Sequence, residues 1–190
     1  APGDRKLYFE EFTQEPLGTE RQETLRPVIE KLEILGFSML GMMVEKPPLW
    51  AHETREIAMA SASNKIFASI GLRRNNPSYF LYTPFAGGEV VITAHNSFRD
   101  YFKDDFATAV VNSGDLEEML EVHKKQVENF IEKGRTPYQE YTRESFIRAT
   151  NLYYSSPYPR KKLRVAGIIN LLFFLFLIFL FAIFFRAAIT

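Results

Sequence analysis

Three histidines are the side chains of this 190-residue chain best suited to acid–base or metal chemistry near neutral pH. His52 lies in the segment HETRE, which places Glu53 and Glu56 close to it. A zinc-binding H-E-x-x-H motif needs a second histidine at position 56, where this chain has glutamate. We therefore predict no metal site here and expect His52 to lie in the loop that follows Pro47 and Pro48.

His95 is the second candidate, because Ser97, Asp100 and Asp104 follow it closely in the sequence. An Asp–His pair can transfer protons, and a Ser–His–Asp triad is assembled in space rather than by adjacency along the chain. One hypothesis is therefore an enzyme whose acid–base site is His95 with Asp100 or Asp104. We favour the alternative, a strand-end histidine among solvated carboxylates, and predict no catalytic residue.

The remaining candidates give no sign of chemistry. His123 stands between Val122 and Lys124 in a predicted helix, and we expect it on the helix surface. The segment Ala86-Gly87-Gly88-Glu89 is too short for a phosphate-binding loop and precedes a strand rather than a helix. The chain has no cysteine, which excludes disulfides, a thiol nucleophile and thiolate metal sites. We predict no cofactor, no metal and no enzymatic activity.

The first helix is predicted to run over residues 24–35, after an extended N-terminal arm. Leu25, Val28 and Leu32 follow helical spacing. Thr19 and Thr24 both offer a helix start, and Thr24 is the predicted N-cap, because Pro27 is best tolerated in a first turn. Gly36 is the predicted residue that closes the helix.

A series of short β-like runs follows the first helix. Turn residues separate them, and Gly87-Gly88 is the strongest hairpin signal because glycine permits positive φ. Short loops make neighbouring strands antiparallel, which predicts a β-meander of about five strands. The runs are residues 37–45, 56–63, 66–72, 78–85 and 89–95, with a possible further strand at 106–112.

Two further helices are predicted after the strands. Asp115 and Glu118 form a capping box before one apolar helix face, which Gly134 closes. Thr136-Pro137 is the predicted start of the last helix, which runs to about Tyr154. Because strands cluster together and helices lie at the ends, the fold class is α+β rather than alternating β and α units.

The C-terminal region carries the strongest signal in the sequence. Residues 165–185 hold no charge, and Asn170 is their one strongly polar residue. As a helix this stretch would be about 31 Å long, close to the hydrocarbon thickness of a bilayer, so we predict a single transmembrane helix. The predicted parts are an arm (1–18), a soluble α+β domain (19–155), a basic juxtamembrane linker (156–164), the transmembrane helix (165–185) and a short stub (186–190).

Charge is distributed unevenly along the chain. Residues 1–159 carry 18 Lys+Arg and 23 Asp+Glu, a net of −5, whereas residues 160–190 carry 5 basic residues and no acid. The acidic domain argues against a nucleic-acid partner. Four basic residues precede the span and Arg186 follows it, so the positive-inside rule predicts the N-terminal domain on the cytoplasmic side, or its organelle equivalent, and the C-terminus opposite. This is a tail-anchored, single-pass layout.

The residues expected to matter are interfacial. Basic side chains can meet lipid headgroups, and tyrosine suits the membrane boundary. The predicted membrane-interface set is Arg160, Lys161, Lys162, Arg164, Tyr153, Tyr154 and Tyr158. Asn170 and the large aromatic rings of the span suit contacts with other helices, and the predicted helix-packing set is Asn170, Phe173, Phe176 and Phe184.

These observations predict a non-enzymatic, membrane-anchored accessory or assembly subunit that docks beside a larger membrane complex. Its partners would be the bilayer and other transmembrane subunits. The alternative is a membrane-tethered binding module for an apolar small molecule, such as a lipid or a quinone-like ring. That alternative predicts a cavity lined by Met39, Phe67, Phe80 and Ile92.

Overall fold

The computed structural model describes residues 9–13, 18–46, 54–73, 75–95, 100–155, 168 and 171–178. The chain divides into two compact units, Ala1–Tyr154 and Ser155–Thr190. The predicted α+β class is confirmed for the first unit, which combines a mostly antiparallel sheet with helices before and after it.

The described residues of the first unit form one sheet of eight strands and three helices. In chain order the elements are β1 (Phe9–Thr13), α1 (Thr19–Ile34), β2 (Ser38–Lys46), β3 (Thr54–Ser61), β4 (Ile66–Arg73), β5 (Asn76–Pro84), β6 (Val90–His95), β7 (Tyr101–Lys103), β8 (Phe106–Val111), α2 (Leu116–Glu132) and α3 (Arg143–Ser155).

The sheet is an antiparallel meander from β1 to β6 that ends with an inserted strand. The spatial order is β1-β2-β3-β4-β5-β6-β8-β7, and each neighbouring pair from β1 to β6 is antiparallel. The five predicted runs correspond to β2–β6. The strand β8 lies between β6 and β7 and runs parallel to β6, an arrangement that the local pattern did not predict.

The Gly87-Gly88 hairpin is confirmed. The Phe85 N–H donates to the Glu89 carbonyl at 2.8 Å, and the Gly88 N–H donates to the Phe85 carbonyl at 3.0 Å. Gly88 has φ +94°, a conformation that a side chain disfavours. This turn sets the register that places β6 beside β5.

The predicted start of α1 is wrong. The helix begins at Thr19 with Gly18 as its N-cap, so Pro27 lies inside it rather than in its first turn. Proline has no backbone N–H, so the helix lacks one hydrogen bond at Pro27. Leu25 and Leu32 are fully buried against the sheet, and this packing stabilises the helix despite the missing bond. The predicted end is confirmed, since Gly36 has φ +85° and the Phe37 N–H donates to the Leu32 carbonyl at 3.0 Å.

Helix α2 begins and ends where it is predicted, but the predicted capping box is not formed, because Glu118 accepts from the Ser113 hydroxyl and the Asp115 N–H donates to the same hydroxyl at 3.2 Å. Asp115 is the N-cap and its carboxylate accepts from the Glu117 N–H at 3.1 Å. Gly134 has φ +80°, and the Arg135 N–H donates to the Phe130 carbonyl at 3.0 Å, which closes the helix.

The predicted start of the last helix at Thr136-Pro137 is wrong. The Thr136 carbonyl accepts from the Ala86 N–H at 2.8 Å, and the Tyr138 N–H donates to the Pro84 carbonyl at 2.9 Å. These bonds tie the segment to the end of β5, so α3 begins only at Arg143. The Thr142 hydroxyl accepts from the Ser145 N–H at 3.3 Å while the Ser145 hydroxyl accepts from the Thr142 N–H at 2.8 Å, a reciprocal cap.

The helices cover opposite faces of the sheet. Alternate strand residues such as Met59, Ala68 and Leu81 face α1 and α2 in the larger core cluster. Their neighbours Phe67 and Tyr82 face the other way, toward α3. The unit therefore has three layers, with a core on each side of the sheet.

The second unit is described at Ile168 and Leu171–Ile178. These nine residues are helical and apolar, and their side chains are 45–61% exposed. Among the described residues, no helix combines the length and the apolar composition needed to cross a membrane.

Phe146 is expected to be the main anchor of α3. Its ring is fully buried and contacts the rings of Phe67 and Tyr82 at centroid distances of 5.5 Å and 5.4 Å. Phe146→Ala should lower the free energy of unfolding by about 3–5 kcal/mol, measured by chemical denaturation of the full chain. Ile34→Ala is the control, because Ile34 is 84% exposed. Equal stability of the two variants would contradict this role of α3.

Candidate functional site

The side chains that could take part in acid–base chemistry lie along α2, at its beginning, middle and end. Helix α2 crosses β5, β6 and β8 on one face of the sheet, with Val91, Ala107 and Phe130 in its second core cluster. His95 and Tyr79 lie near its beginning, His123 at its middle, and Glu89 with Arg135 just beyond its end.

The expectation that His123 lies on the helix surface is wrong. His123 is fully buried between α2 and the two strands beneath it, β5 and β6. Its Nε2 lies 3.0 Å from the Thr83 hydroxyl on β5, and its Nδ1 lies 3.0 Å from the Thr93 hydroxyl on β6. His123 lies three residues after Leu120 and four before Val127, a helical spacing that places it on the apolar face of α2 and that could have predicted its burial. The two threonines that accommodate it come from strands 30 or more positions away.

The hydrogen bonds assign the tautomer of His123. The Thr83 hydroxyl donates its one proton to the Lys65 carbonyl at 2.8 Å, so it accepts from Nε2–H. The unprotonated Nδ1 then accepts from the Thr93 hydroxyl. Burial lowers the pKa of His123 to about 3, so the imidazole is neutral at physiological pH. A neutral, enclosed histidine with both nitrogens engaged is suited to holding α2 in place rather than to proton transfer.

His95 lies in a more open cluster at the beginning of α2. Its ring stacks on Tyr79 with a centroid distance of 5.1 Å and an interplanar angle of 9°. The Tyr79 hydroxyl donates to the Gly114 carbonyl at 2.8 Å. Burial raises the pKa of Tyr79, with Asp115 adding to the effect and Lys31 opposing it. Gly114 has φ +70°, and a Cβ there would lie 3.2 Å from the His95 ring. The cluster packs an aromatic pair under a helix N-terminus.

The two carboxylates proposed as partners of His95 have other environments. Asp100 accepts from the Val110 N–H at 2.8 Å, next to the start of β7. Asp104 is exposed in the turn between β7 and β8. The contacts described for His95 are with Tyr79 and Gly114. Asp100 thus binds the N–H of a β8 residue that lies beyond the end of β7. The sequence did not predict this contact, because it depends on β8 being longer than β7.

Glu89 and Arg135 form an ion pair that sequence reasoning missed. Glu89 Oε1 lies 2.6 Å from Arg135 Nη1, and the Glu89 side chain is 6% exposed while that of Arg135 is 42% exposed. Glu89 Oε2 is buried and has no hydrogen-bond partner in the described part of the chain. A Cβ at Gly87 would overlap the carboxylate, so this glycine makes room for the buried charge. Because α2 ends at Gly134, the chain turns there and Arg135 reaches the Glu89 carboxylate.

A groove of about 300 Å³ lies between the end of α2 and the strands β7 and β8. Phe102 on its strand side is 56% exposed, and the buried Phe130 lies on its helix side. The lining residues are Phe102, Lys103, Ala107, Gln126, Asn129, Phe130, Glu132 and Lys133. Among the described residues, no group of three or more His, Asp or Glu side chains is placed to hold a metal ion.

The predicted lining of an apolar cavity is not brought together. Phe67 and Ile92 both pair with Tyr82, and Phe80 precedes Tyr82 by two residues on the same strand. Phe67, Phe80 and Ile92 therefore lie on the α3 face of the sheet. Met39 pairs with Met59, which faces α1 and α2, and Met39 is 52% exposed. These four side chains therefore do not line one pocket.

The predicted membrane-interface and helix-packing residues fall mostly outside the described part of the chain. Phe173 and Phe176 are described, and both rings are more than half exposed. The backbone of Tyr153 and Tyr154 lies in the last turn of α3. Their side chains are outside the described part of the chain. The remaining members are outside it altogether, namely Arg160, Lys161, Lys162, Arg164, Tyr158, Asn170 and Phe184, as is His52.

Comparison of the chain with known proteins finds no matching family model, no matching curated protein and no matching solved structure.

His123 should make stability depend on pH between about 7 and 5. The unfolded chain binds a proton on His123 near pH 6.5, whereas the folded chain binds it only near pH 3. The contribution is complete above pH 6.5 and is lost as the pH falls, by about 2 kcal/mol between pH 7 and 5. Denaturant unfolding at each pH measures it.

The control is His123→Gln, whose amide offers both a donor group and an acceptor but does not titrate. Its unfolding free energy should be lower at pH 7 and should change less with pH in this window. Parallel pH curves for the wild-type chain and the variant would contradict the buried neutral histidine.

Removing the cation from the Glu89–Arg135 pair should be costly because the carboxylate stays buried. Arg135→Ala is expected to lower the free energy of unfolding by about 2–3 kcal/mol, since a buried charged group loses its partner. Lys124→Ala is the control, because Lys124 pairs with the exposed Glu121 at 3.4 Å, where ion pairs contribute little. Thermal or denaturant unfolding compares them, and equal losses would refute the buried role of Glu89.

Proposed function

We propose that this protein is a non-enzymatic, single-pass membrane-anchored accessory or assembly subunit that docks beside a larger membrane complex. The observation that carries the proposal is the uncharged run of residues 165–185. In its described portion, Ile168 and Leu171–Ile178, all nine residues are apolar and 45–61% exposed.

A helix that is apolar on every side must be covered by lipid or by other protein. Globular helices bury one apolar stripe and expose a polar face to water. Leu171–Ile178 has no polar face, since every residue in it is Leu, Phe or Ile. A run of about 20 such residues matches the hydrocarbon thickness of a bilayer. A lipid environment is the simplest cover for residues 165–185.

The charges beside the run support one orientation. Arg160, Lys161, Lys162 and Arg164 precede it, and Arg186 follows it. Basic residues are retained on the cytoplasmic side, so the α+β unit would lie there or in an equivalent organelle compartment. Three tyrosines near the entry, Tyr153, Tyr154 and Tyr158, suit the headgroup boundary.

The span favours a protein partner as well as lipid. Asn170 carries an amide about one turn inside the run, where it gains most by bonding another helix or a headgroup. Phe173, Phe176 and Phe184 offer broad rings for packing against neighbouring helices. Phe173 and Phe176 are exposed in the single chain. An accessory subunit uses both features.

The contacts of the α+β unit support a structural role. His123 is enclosed by Thr83 and Thr93, and the buried Glu89 pairs with Arg135. Asp100 caps an edge N–H. These three groups, each able to carry a proton, hold elements of the fold together, which fits a docking subunit better than an enzyme.

The test is extraction of the native membrane. Alkaline carbonate should leave the chain in the membrane pellet, and a mild detergent should release it in a large stoichiometric complex. Asn170→Leu should keep the chain in the pellet but release it from the complex, because the variant keeps the apolar run and loses the amide. Leu175→Ile is the matched control and should behave as the wild-type chain.

Two outcomes would refute the proposal. Release by carbonate would show that residues 165–185 do not anchor the chain. Migration of the wild-type chain alone, at its own mass of 22.0 kDa plus detergent, would rule out the accessory role and leave only the anchor.

A further inference from the structure

We draw no further inference here: the strongest candidate, the groove of about 300 Å³ between the end of α2 and the strands β7 and β8, has the exposed Phe102 ring on one side and side chains of both charges along it, and nothing in the described part of the chain shows what covers it.

Discussion

A polar group that leaves water at the interface between α2 and the sheet must find a hydrogen-bond partner there, because an unpaired one is costly. This requirement acts on His123, which α2 carries into the centre of the interface. Thr83 and Thr93 meet it from two adjacent strands, and the Lys65 carbonyl orders the chain of bonds by accepting the Thr83 proton. The helix can therefore occupy only one position along β5 and β6. A displacement of one residue would separate the imidazole from both hydroxyls.

The same helix organises the polar residues at its two ends. At its beginning, Asp115 caps the helix and binds Lys31 of α1 at 2.9 Å, which connects the two helices on this face. Beyond its end, Gly134 turns the chain so that Arg135 reaches the buried Glu89. The next residues then bond the end of β5, and this delays the start of α3. The path of the chain from one face of the sheet to the other thus follows from how α2 terminates.

The proposed docking role depends on surfaces that the helices of the fold leave uncovered. Helices cover both faces of the sheet, so in the described chain its edges are the parts that the helices leave uncovered. Beside the edge at β7 lie the exposed ring of Phe102 and a groove of about 300 Å³. The apolar residues Leu171–Ile178 belong to the other unit and need cover of their own. A docking subunit requires such surfaces, whereas an enzyme requires a site in which titratable groups converge on a substrate.

The sequence by itself determined the features that depend on neighbouring residues. Strand alternation, turn glycines and capping residues act over a few positions, and they correctly predicted the meander β2–β6, the Gly88 turn, the extent of α2 and the α+β class. Only the tertiary structure decided what depends on distant residues. Packing against the sheet carried α1 through Pro27, and bonds to β5 replaced the first turns of the last helix. Distant strands buried His123, paired Glu89 with Arg135 and inserted β8 beside β6. Each of these outcomes needs partners that lie far apart in the chain, and local propensity holds no information about which of them will meet.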